Sequence, residues 1–143
     1  NYLDVSNDPL YPFGYGLSYT TFNYSDIKLS SKSLKGNQTL TASVTVTNTG
    51  NKTGKEIVQL YIRDMVGSIT RPVKELKGFF KIDLKAGETK TVSFNITPND
   101  LKFYAPYSAN NYNLKYDWEP GEFDIMIGSN SRDVKSAKVN WMK

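Results

Sequence analysis

Strict alternation of apolar and hydroxyl-bearing side chains is the feature that most constrains how this chain can fold. In residues 40–47 the even positions are Leu, Ala, Val and Val, and the odd positions are Thr, Ser, Thr and Thr. Successive side chains of a β-strand point to opposite faces, so this pattern predicts a strand with one buried and one exposed face. No segment has the 3.6-residue apolar period of an amphipathic helix.

The same two-residue period recurs in short runs that are separated by turn residues such as those of 48–54 and 85–88. In the first run the apolar residues change from even to odd positions near Asp26, which indicates a bulge. In two of these runs the residues expected to point inward are Val58, Leu60 and Ile62, and Val92, Phe94 and Ile96. In a third run, the residues of one parity, expected on one face, are Leu76, Phe80, Ile82 and Leu84. The predicted strands are 22–29, 40–47, 56–63, 73–84, 89–97, 123–127 and 135–141.

Seven short strands in a chain of 143 residues predict one all-β domain. We expect a seven-stranded antiparallel β-sandwich of the immunoglobulin or fibronectin type III-like kind. The sequence has no Cys, so the disulfide of antibody domains is absent, which favours the fibronectin type III-like alternative. We expect residues 22–143 to form the sandwich and residues 1–21 to form an extended N-terminal arm.

A segment at 9–22, which begins in the arm and ends at the first residue of the predicted sandwich, is rich in aromatic residues, Pro and Gly and carries no charge. It follows neither the helical nor the strand period. Its rings require a surface to pack on, and either the chain's own sandwich or a neighbouring domain would provide one.

Composition excludes several kinds of chemistry. The chain has no His and no Cys, which removes the Ser-His-Asp triad, thiol nucleophiles and metal sites that use His or Cys ligands. The net charge is +4, but the Lys and Arg residues are spread among acids rather than gathered in a stripe. No apolar run is long enough to span a bilayer. We therefore predict no metal, no cofactor, no nucleic-acid partner and no membrane partner.

Two pairs of carboxylates are close enough in sequence to be considered as a glycosidase pair, whose carboxyl groups lie about 5–5.5 Å apart in retaining enzymes. Asp117 and Glu119, like Glu122 and Asp124, lie two residues apart, which on a strand places them about 6.5 Å apart on one face. Nothing in the sequence predicts a pocket around either pair. We interpret both pairs as exposed polar positions and predict no catalytic residue in this chain.

The longest irregular stretch, 98–120, is rich in aromatic residues. Tyr107, Tyr112 and Trp118 could stack on sugar rings at the edge of a carbohydrate site or contact a partner. The alternative for Trp118 is a position in the core of the sandwich.

Several segments, taken in order, resemble the C-terminal fibronectin type III-like domain of glycoside hydrolase family 3 enzymes. The likeness is strongest to periplasmic β-glucosidases of Bacteroides-type bacteria, and 105–113 looks longer than the corresponding turn of that family. The segments are PLYPFGYGLSYTTF (9–22), VTVTNTG (44–50), EIVQLYIRD (56–64), RPVKELKGF (71–79), LKAGE (84–88), EPGEF (119–123) and IGSNSRD (127–133).

The resemblance implies that the chain is a non-catalytic accessory domain. The parent enzyme would hydrolyse terminal β-D-glucosyl residues with retention, using an Asp nucleophile and a Glu acid/base that both lie upstream. The expected partners are the upstream catalytic domains, an oligosaccharide substrate of the parent and a second parent molecule in a homodimer. The expected location is periplasmic or secreted, and since the sequence does not begin with Met, any targeting signal would lie upstream.

In such a parent, the arm would lie at the seam between the sandwich and the preceding domain. The residues expected to pack there are Tyr11, Pro12, Phe13, Tyr15 and Tyr19. Two other functions stay open, a stand-alone carbohydrate-binding module and an adhesive immunoglobulin-like domain.

Overall fold

The computed structural model describes residues 20–65, 74–104, 115–116 and 118–143. This part of the chain is all-β, with one 3₁₀ turn at Pro98–Leu101. Its strands are β1 (Phe22–Tyr24), β2 (Lys28–Leu29), β3 (Ser33–Lys35), β4 (Leu40–Asn48), β5 (Gly54–Asp64), β6 (Lys74–Leu84), β7 (Thr89–Ile96), β8 (Phe103–Tyr104), β9 (Lys115–Tyr116), β10 (Gly121–Gly128) and β11 (Val134–Met142).

Two sheets form the sandwich, which confirms the predicted fold class. In the four-stranded sheet, β4 pairs with β1, β2 and β7, and the five-stranded sheet has the order β3-β11-β10-β5-β6. Strands β8 and β9 form a separate antiparallel pair. The pairing of β3 with β11 is parallel, unlike every other pair in the described residues.

The predicted number of seven strands is wrong, because the two sheets together contain nine. Strands β2 and β3 have only two and three residues, too few to produce a readable alternation. The predicted first strand is divided into β1 and β2, which both pair with β4. Tyr24 lies opposite Val46 and Lys28 lies opposite Ser43, so the first strand has one extra residue, as expected for the bulge near Asp26.

The core lies between the two sheets and is built from the alternating positions. The inward residues of β4 are at most 2% exposed. They face residues of β5, β10 and β11 that include Val58, Ile125 and the fully buried Trp141. The Trp141 Nε1 donates a hydrogen bond to the Gly36 carbonyl at 3.0 Å, which holds β11 against the end of β3. Burial of this apolar area, at roughly 25 cal/mol per Å², is the main stabilising contribution.

Strand β6 departs from the prediction at one residue. Phe80 lies opposite Val58, but the register shifts at Leu60/Tyr61, so that Leu76 lies opposite Tyr61. The bulge therefore turns Leu76 to the face opposite that of Phe80, and the prediction that both share a face is wrong. Phe80 packs on Phe94 of the other sheet, with ring centroids 5.1 Å apart.

Candidate functional site

Most residues that the sequence singled out lie outside the described part of the chain. This holds for Tyr11, Pro12, Phe13, Tyr15, Tyr19, Tyr107 and Tyr112, whose roles stay predictions. Trp118 is described and belongs to the core cluster, with 9% of its surface exposed. The Lys143 Nζ lies 5.0 Å from the centre of its ring. This burial favours the packing alternative for Trp118 over stacking on a sugar.

A polar cleft of about 760 Å³ opens between β1 of the four-stranded sheet and residues of β5 and β10 in the five-stranded sheet. Strand β1 supplies Phe22 and Tyr24 to its wall, β5 supplies Glu56, and the opposite wall is the segment that joins β10 to β11. The cleft therefore brings together side chains that lie more than 70 positions apart in the sequence, which only the folded sandwich can do.

The Tyr24 hydroxyl donates a hydrogen bond to Glu56 Oε2 at 2.9 Å and so links the two sheets. Glu56 is only 6% exposed. Burial raises the pKa of the Glu56 carboxyl, against the opposing effect of the Tyr24 hydrogen bond. Burial, together with the negative charge of Glu56, raises the pKa of the Tyr24 hydroxyl above its usual range. The hydroxyl consequently keeps its proton and remains the donor.

The segment on the opposite wall is fixed by Asn130, which is buried. Its Oδ1 accepts hydrogen bonds from the backbone amides of Arg132 and Asp133, and its Nδ2 donates to Asp133 Oδ2 at 3.0 Å. Gly128 precedes this loop, and a Cβ there would collide with the carbonyl oxygen of Asp133. Both cleft carboxylates, Glu56 and Asp133, are thus hydrogen-bonded to neighbouring side chains.

A second polar feature lies on the outer face of the five-stranded sheet, the face turned away from the core. Gln59 and Tyr61 of β5 are both fully buried there. The Tyr61 hydroxyl donates to Gln59 Oε1 at 2.6 Å, and Gln59 Nε2 donates to the Ser129 carbonyl at 3.1 Å. The Lys74 Nζ lies 5.7 Å from the centre of the Tyr61 ring and donates to the Ser131 carbonyl. The same β10–β11 loop that forms the cleft therefore covers this face.

Charged side chains lie next to the buried pair Gln59 and Tyr61 on the same outer face. Arg63 lies opposite Asp124 on β10 and opposite Lys74 on β6. Arg63 Nε and Asp124 Oδ1 are buried and have no hydrogen-bond partner among the residues that the structure describes. Burial, and to a lesser extent the charge of Arg63, lowers the pKa of Lys74. The opposite charges of Arg63 and Asp124 therefore lie on neighbouring strands of the same outer face.

Sequence reasoning missed this face, although one signal pointed to it. The stretch 57–62, IVQLYI, is apolar at positions of both parities, unlike the clean alternation of β4. Strands that are buried on both faces have such near-continuous apolar runs.

No group of three or more potential metal-ligating side chains occurs within residues 20–65, 74–104, 115–116 and 118–143. Over the same residues, no helix has the length and apolar character that crossing a membrane requires.

Comparison with protein families finds a match to the fibronectin type III-like domain over residues 56–131. A periplasmic beta-glucosidase of Salmonella typhimurium is 54% identical over 134 residues, covering 94% of this chain and 17% of the relative. A putative beta-xylosidase of Formosa agariphila is 49% identical over 142 residues, covering 99% of this chain and 18% of the relative.

Solved structures give the same result. The crystal structure of beta-glucosidase from Listeria innocua in complex with isofagomine has a TM-score of 0.77 and 41% identity, covering 100% of this chain and 19% of that chain. A b-glucosidase from Erythrobacter marinus has a TM-score of 0.79 and 39% identity, covering 92% of this chain and 17% of that chain. The chain therefore spans less than a fifth of the length of these relatives.

Proposed function

Because the chain belongs to the family of fibronectin type III-like domains, we propose that it is the non-catalytic C-terminal accessory domain of a glycoside hydrolase family 3 β-glucosidase. The observation that carries the proposal is the match of nearly the whole chain to a small part of a periplasmic beta-glucosidase at 54% identity. The parent hydrolyses terminal β-D-glucosyl residues with retention, and its catalytic groups lie in the upstream domains.

The chemistry of the cleft supports a non-catalytic role. Most glycosidases use two carboxylic groups that flank the scissile bond. The cleft carboxylates Glu56 and Asp133 are instead engaged by Tyr24 and Asn130. The chain also has no His and no Cys to act as an alternative base or nucleophile.

The domain acts by packing against the catalytic body, and the arm supplies part of that contact. Tyr11, Phe13, Tyr15 and Tyr19 are buried at the seam, where each ring contributes apolar area at roughly 25 cal/mol per Å². Pro12 has a fixed φ, which lowers the entropy lost when the arm is ordered. Together they contribute several kcal/mol, on the order of a few buried side chains, to the docking of the sandwich.

The parent is exported to the periplasm or secreted, and the name of the Salmonella typhimurium relative supports this location. Two further partners are proposed for the parent: a second parent molecule in a homodimer, and an oligosaccharide substrate. Both depend on surfaces of the parent that lie outside this chain.

The test compares the 143-residue chain with the intact parent and with the parent lacking residues 1–143. Chromogenic β-glucoside and β-xyloside are both supplied, since relatives of both names occur. We expect no turnover by the 143-residue chain and a lower unfolding temperature for the shortened parent. Turnover by the pure chain, or unchanged unfolding of the shortened parent, would contradict the proposal.

The alternative of a stand-alone carbohydrate-binding module is tested by titrating the chain with oligoglucosides while the fluorescence of Trp118 and Trp141 is followed. Both rings lie in the core, so we expect no change. A saturable change would favour the binding module. Recovery of a parent gene without catalytic domains would favour the adhesive domain.

A further inference from the structure

The arm joins the sandwich at the rim of the polar cleft. Thr20, the first described residue, lines the cleft, and its Oγ1 donates a hydrogen bond to Asn48 Oδ1 at 2.9 Å. The carbonyl of the next residue, Thr21, accepts a hydrogen bond from the Thr49 amide at 2.9 Å. A Cβ on Gly50 would collide with the Thr20 Oγ1, so the turn after β4 leaves room for Thr20. The end of the arm is therefore held at one point on the cleft wall.

This attachment limits where the preceding residues can lie. Residues 1–19 of the arm are outside the described part of the chain. An extended chain spans at most about 3.6 Å per residue, so the Cα atoms of Leu17, Ser18 and Tyr19 lie within about 11 Å of that of Thr20. A group on so short a tether has an effective concentration of about millimolar, at which even a weak contact with the cleft is occupied.

The cleft is an open end of the sandwich core. Glu56 has the same parity as the core residue Val58, so its side chain points between the two sheets. Strand β10 ends at Gly128, opposite Gln59, and does not extend beside Glu56. Phe22 adds an aromatic ring to the wall and is only partly buried. A side chain that enters the cleft would therefore extend the core.

The polar groups of the cleft favour a neutral hydrogen-bond donor. The Glu56 carboxylate accepts a hydrogen bond from the Tyr24 hydroxyl, and the Asp133 carboxylate accepts one from the Asn130 side chain. An ionised carboxylate has about four acceptor sites, so each can accept a further hydrogen bond. Burial has already removed water from Glu56, and a donor that reaches it in the cleft replaces part of that lost hydration.

Residues 9–19 supply such donors and carry no charge. They include Tyr11, Tyr15 and Tyr19 and contain no Asp, Glu, Lys or Arg. A Tyr side chain combines a large apolar ring with one hydroxyl donor, which matches a cleft that has an apolar wall and carboxylates. Tyr24 already makes this contact with Glu56. An oligosaccharide also has hydroxyl donors, but it would be drawn from dilute solution, whereas the arm is attached to the rim.

We propose that residues 15–19 of the arm fold back into the cleft, where the rings of Tyr15 and Tyr19 pack on its apolar wall and a tyrosine hydroxyl donates to a cleft carboxylate. This inference deepens the proposed function and rests on it for the catalytic body. The cleft becomes the sandwich's side of the seam, and the preceding part of the arm, with Tyr11 and Phe13, contacts the body.

The test is disulfide trapping in the 143-residue chain, which has no native Cys. Ser18→Cys places one thiol in the arm, and Ser129→Cys places the other on the opposite wall of the cleft. A disulfide requires Cα atoms within about 7 Å, so its rate of formation with glutathione disulfide follows the population in which the arm crosses the cleft. Tyr15→Ala, Tyr19→Ala and the matched control Tyr2→Ala, at the far end of the arm, are each added to this pair.

We expect Tyr15→Ala and Tyr19→Ala each to slow the cross-link about tenfold, as for the loss of an aromatic anchor, and Tyr2→Ala to stay within about twofold. Urea unfolding of each reduced variant checks that the sandwich is folded. A second measurement uses the unaltered chain and so does not depend on the Cys variants. Nitration of its tyrosines, read by mass spectrometry, is expected to be slower at Tyr15 and Tyr19 than at Tyr2.

The inference is overturned if the three Tyr variants cross-link at one rate, because the attachment alone then brings the thiols together, or if no cross-link forms. It is also overturned if Tyr15 and Tyr19 are nitrated as fast as Tyr2, or if an oligoglucoside slows the cross-link saturably, because the cleft then receives a sugar. Failure of the proposed function looks different: the parent lacking residues 1–143 would unfold like the intact parent, while trapping in the 143-residue chain would be unchanged.

Discussion

The two sheets of the sandwich differ in what their outer faces meet. In the four-stranded sheet, Thr and Ser residues of β4 and β7 form an outward layer that is half-exposed or exposed. Cross-strand hydrogen bonds join Thr41 to Asn95 at 3.0 Å and Thr47 to Thr89 at 2.7 Å. In the five-stranded sheet, Gln59 and Tyr61 occupy the equivalent outward positions and are fully buried.

The contrast teaches that the outward side chains of the two sheets are stabilised in different ways. Hydroxyl side chains in the four-stranded sheet satisfy their own hydrogen bonds at little cost in water. The five-stranded sheet instead buries an aromatic ring and an amide, and the β10–β11 loop accepts hydrogen bonds from Gln59 and Lys74. Predictions that separate the two faces follow, from the largest expected effect to the smallest.

Tyr61→Ala is expected to lower the free energy of unfolding by about 3–5 kcal/mol, because it removes a fully buried ring. Thr45→Ala, at an outward position of β4, is expected to cost below about 1 kcal/mol. Both values are measured by denaturant unfolding of the 143-residue chain. Equal losses for the two variants would show that the outer faces do not differ.

Gly128→Ala is expected to cost about 1–3 kcal/mol, because the added Cβ meets the backbone carbonyl of Asp133 and displaces the loop. Gly78→Ala is the matched control in β6, since its Cβ would lie at an ordinary 3.8 Å from the Phe94 ring. We expect the control to change stability by less than about 1 kcal/mol. A tolerated Gly128→Ala would mean that the loop covers the outer face less tightly than described.

Tyr24→Phe is expected to cost about 1.5–3 kcal/mol, because it removes the hydroxyl that bonds the buried Glu56 carboxylate and joins the two sheets. A double-mutant cycle with Glu56→Gln isolates the interaction from the change in packing. Additive losses in the cycle would show that the two side chains do not interact across the cleft.

Glu56→Gln is expected to change how the free energy of unfolding depends on pH, and to leave that free energy nearly unchanged at low pH. Burial raises the pKa of Glu56 in the folded state, so the folded chain binds this proton more tightly than the unfolded chain. The stability of the original chain therefore falls as the pH rises from the ordinary pKa of Glu through the raised pKa of Glu56. The Glu56→Gln variant has no carboxyl at this position and does not show this decrease. The stability of Glu56→Gln relative to the original chain should increase over that interval.

The measurement is urea unfolding across the acidic and neutral range, with Asp26→Asn as the control. Asp26 is exposed between β1 and β2, and its carboxylate lies 3.9 Å from the Lys135 Nζ. An increase of the same size in both variants would contradict the assignment to Glu56.

Alternation alone was sufficient to predict the long strands. Strands β4, β5, β7 and β11 begin and end within two residues of the predicted ranges, because each has enough residues to show its period. Short β3 was not predicted, because Leu34 is its only apolar residue and one residue has no period. Leu76 was assigned to the wrong face, because the bulge changes which residues point inward and no residue type in the sequence indicates it.

The candidate sites were harder to predict than the fold. Tyr24 and Glu56 meet across 32 positions of sequence, and nothing local to either residue indicates the other. In the sequence, Asn130 looks like any other turn residue. In the structure, its side chain accepts hydrogen bonds that shape the cleft. Contacts of this kind depend on register between strands, which the sequence pattern determines only after the strand order is known.

The single extra residue in β6 determines how this strand would respond to a change in chain length. Deleting Lys77 would restore a regular ladder and leave Lys74 opposite Arg63, Glu75 opposite Ile62 and Leu76 opposite Tyr61. The bulge is therefore a place at which β6 can lose one residue without turning its other side chains to the opposite face of the sheet.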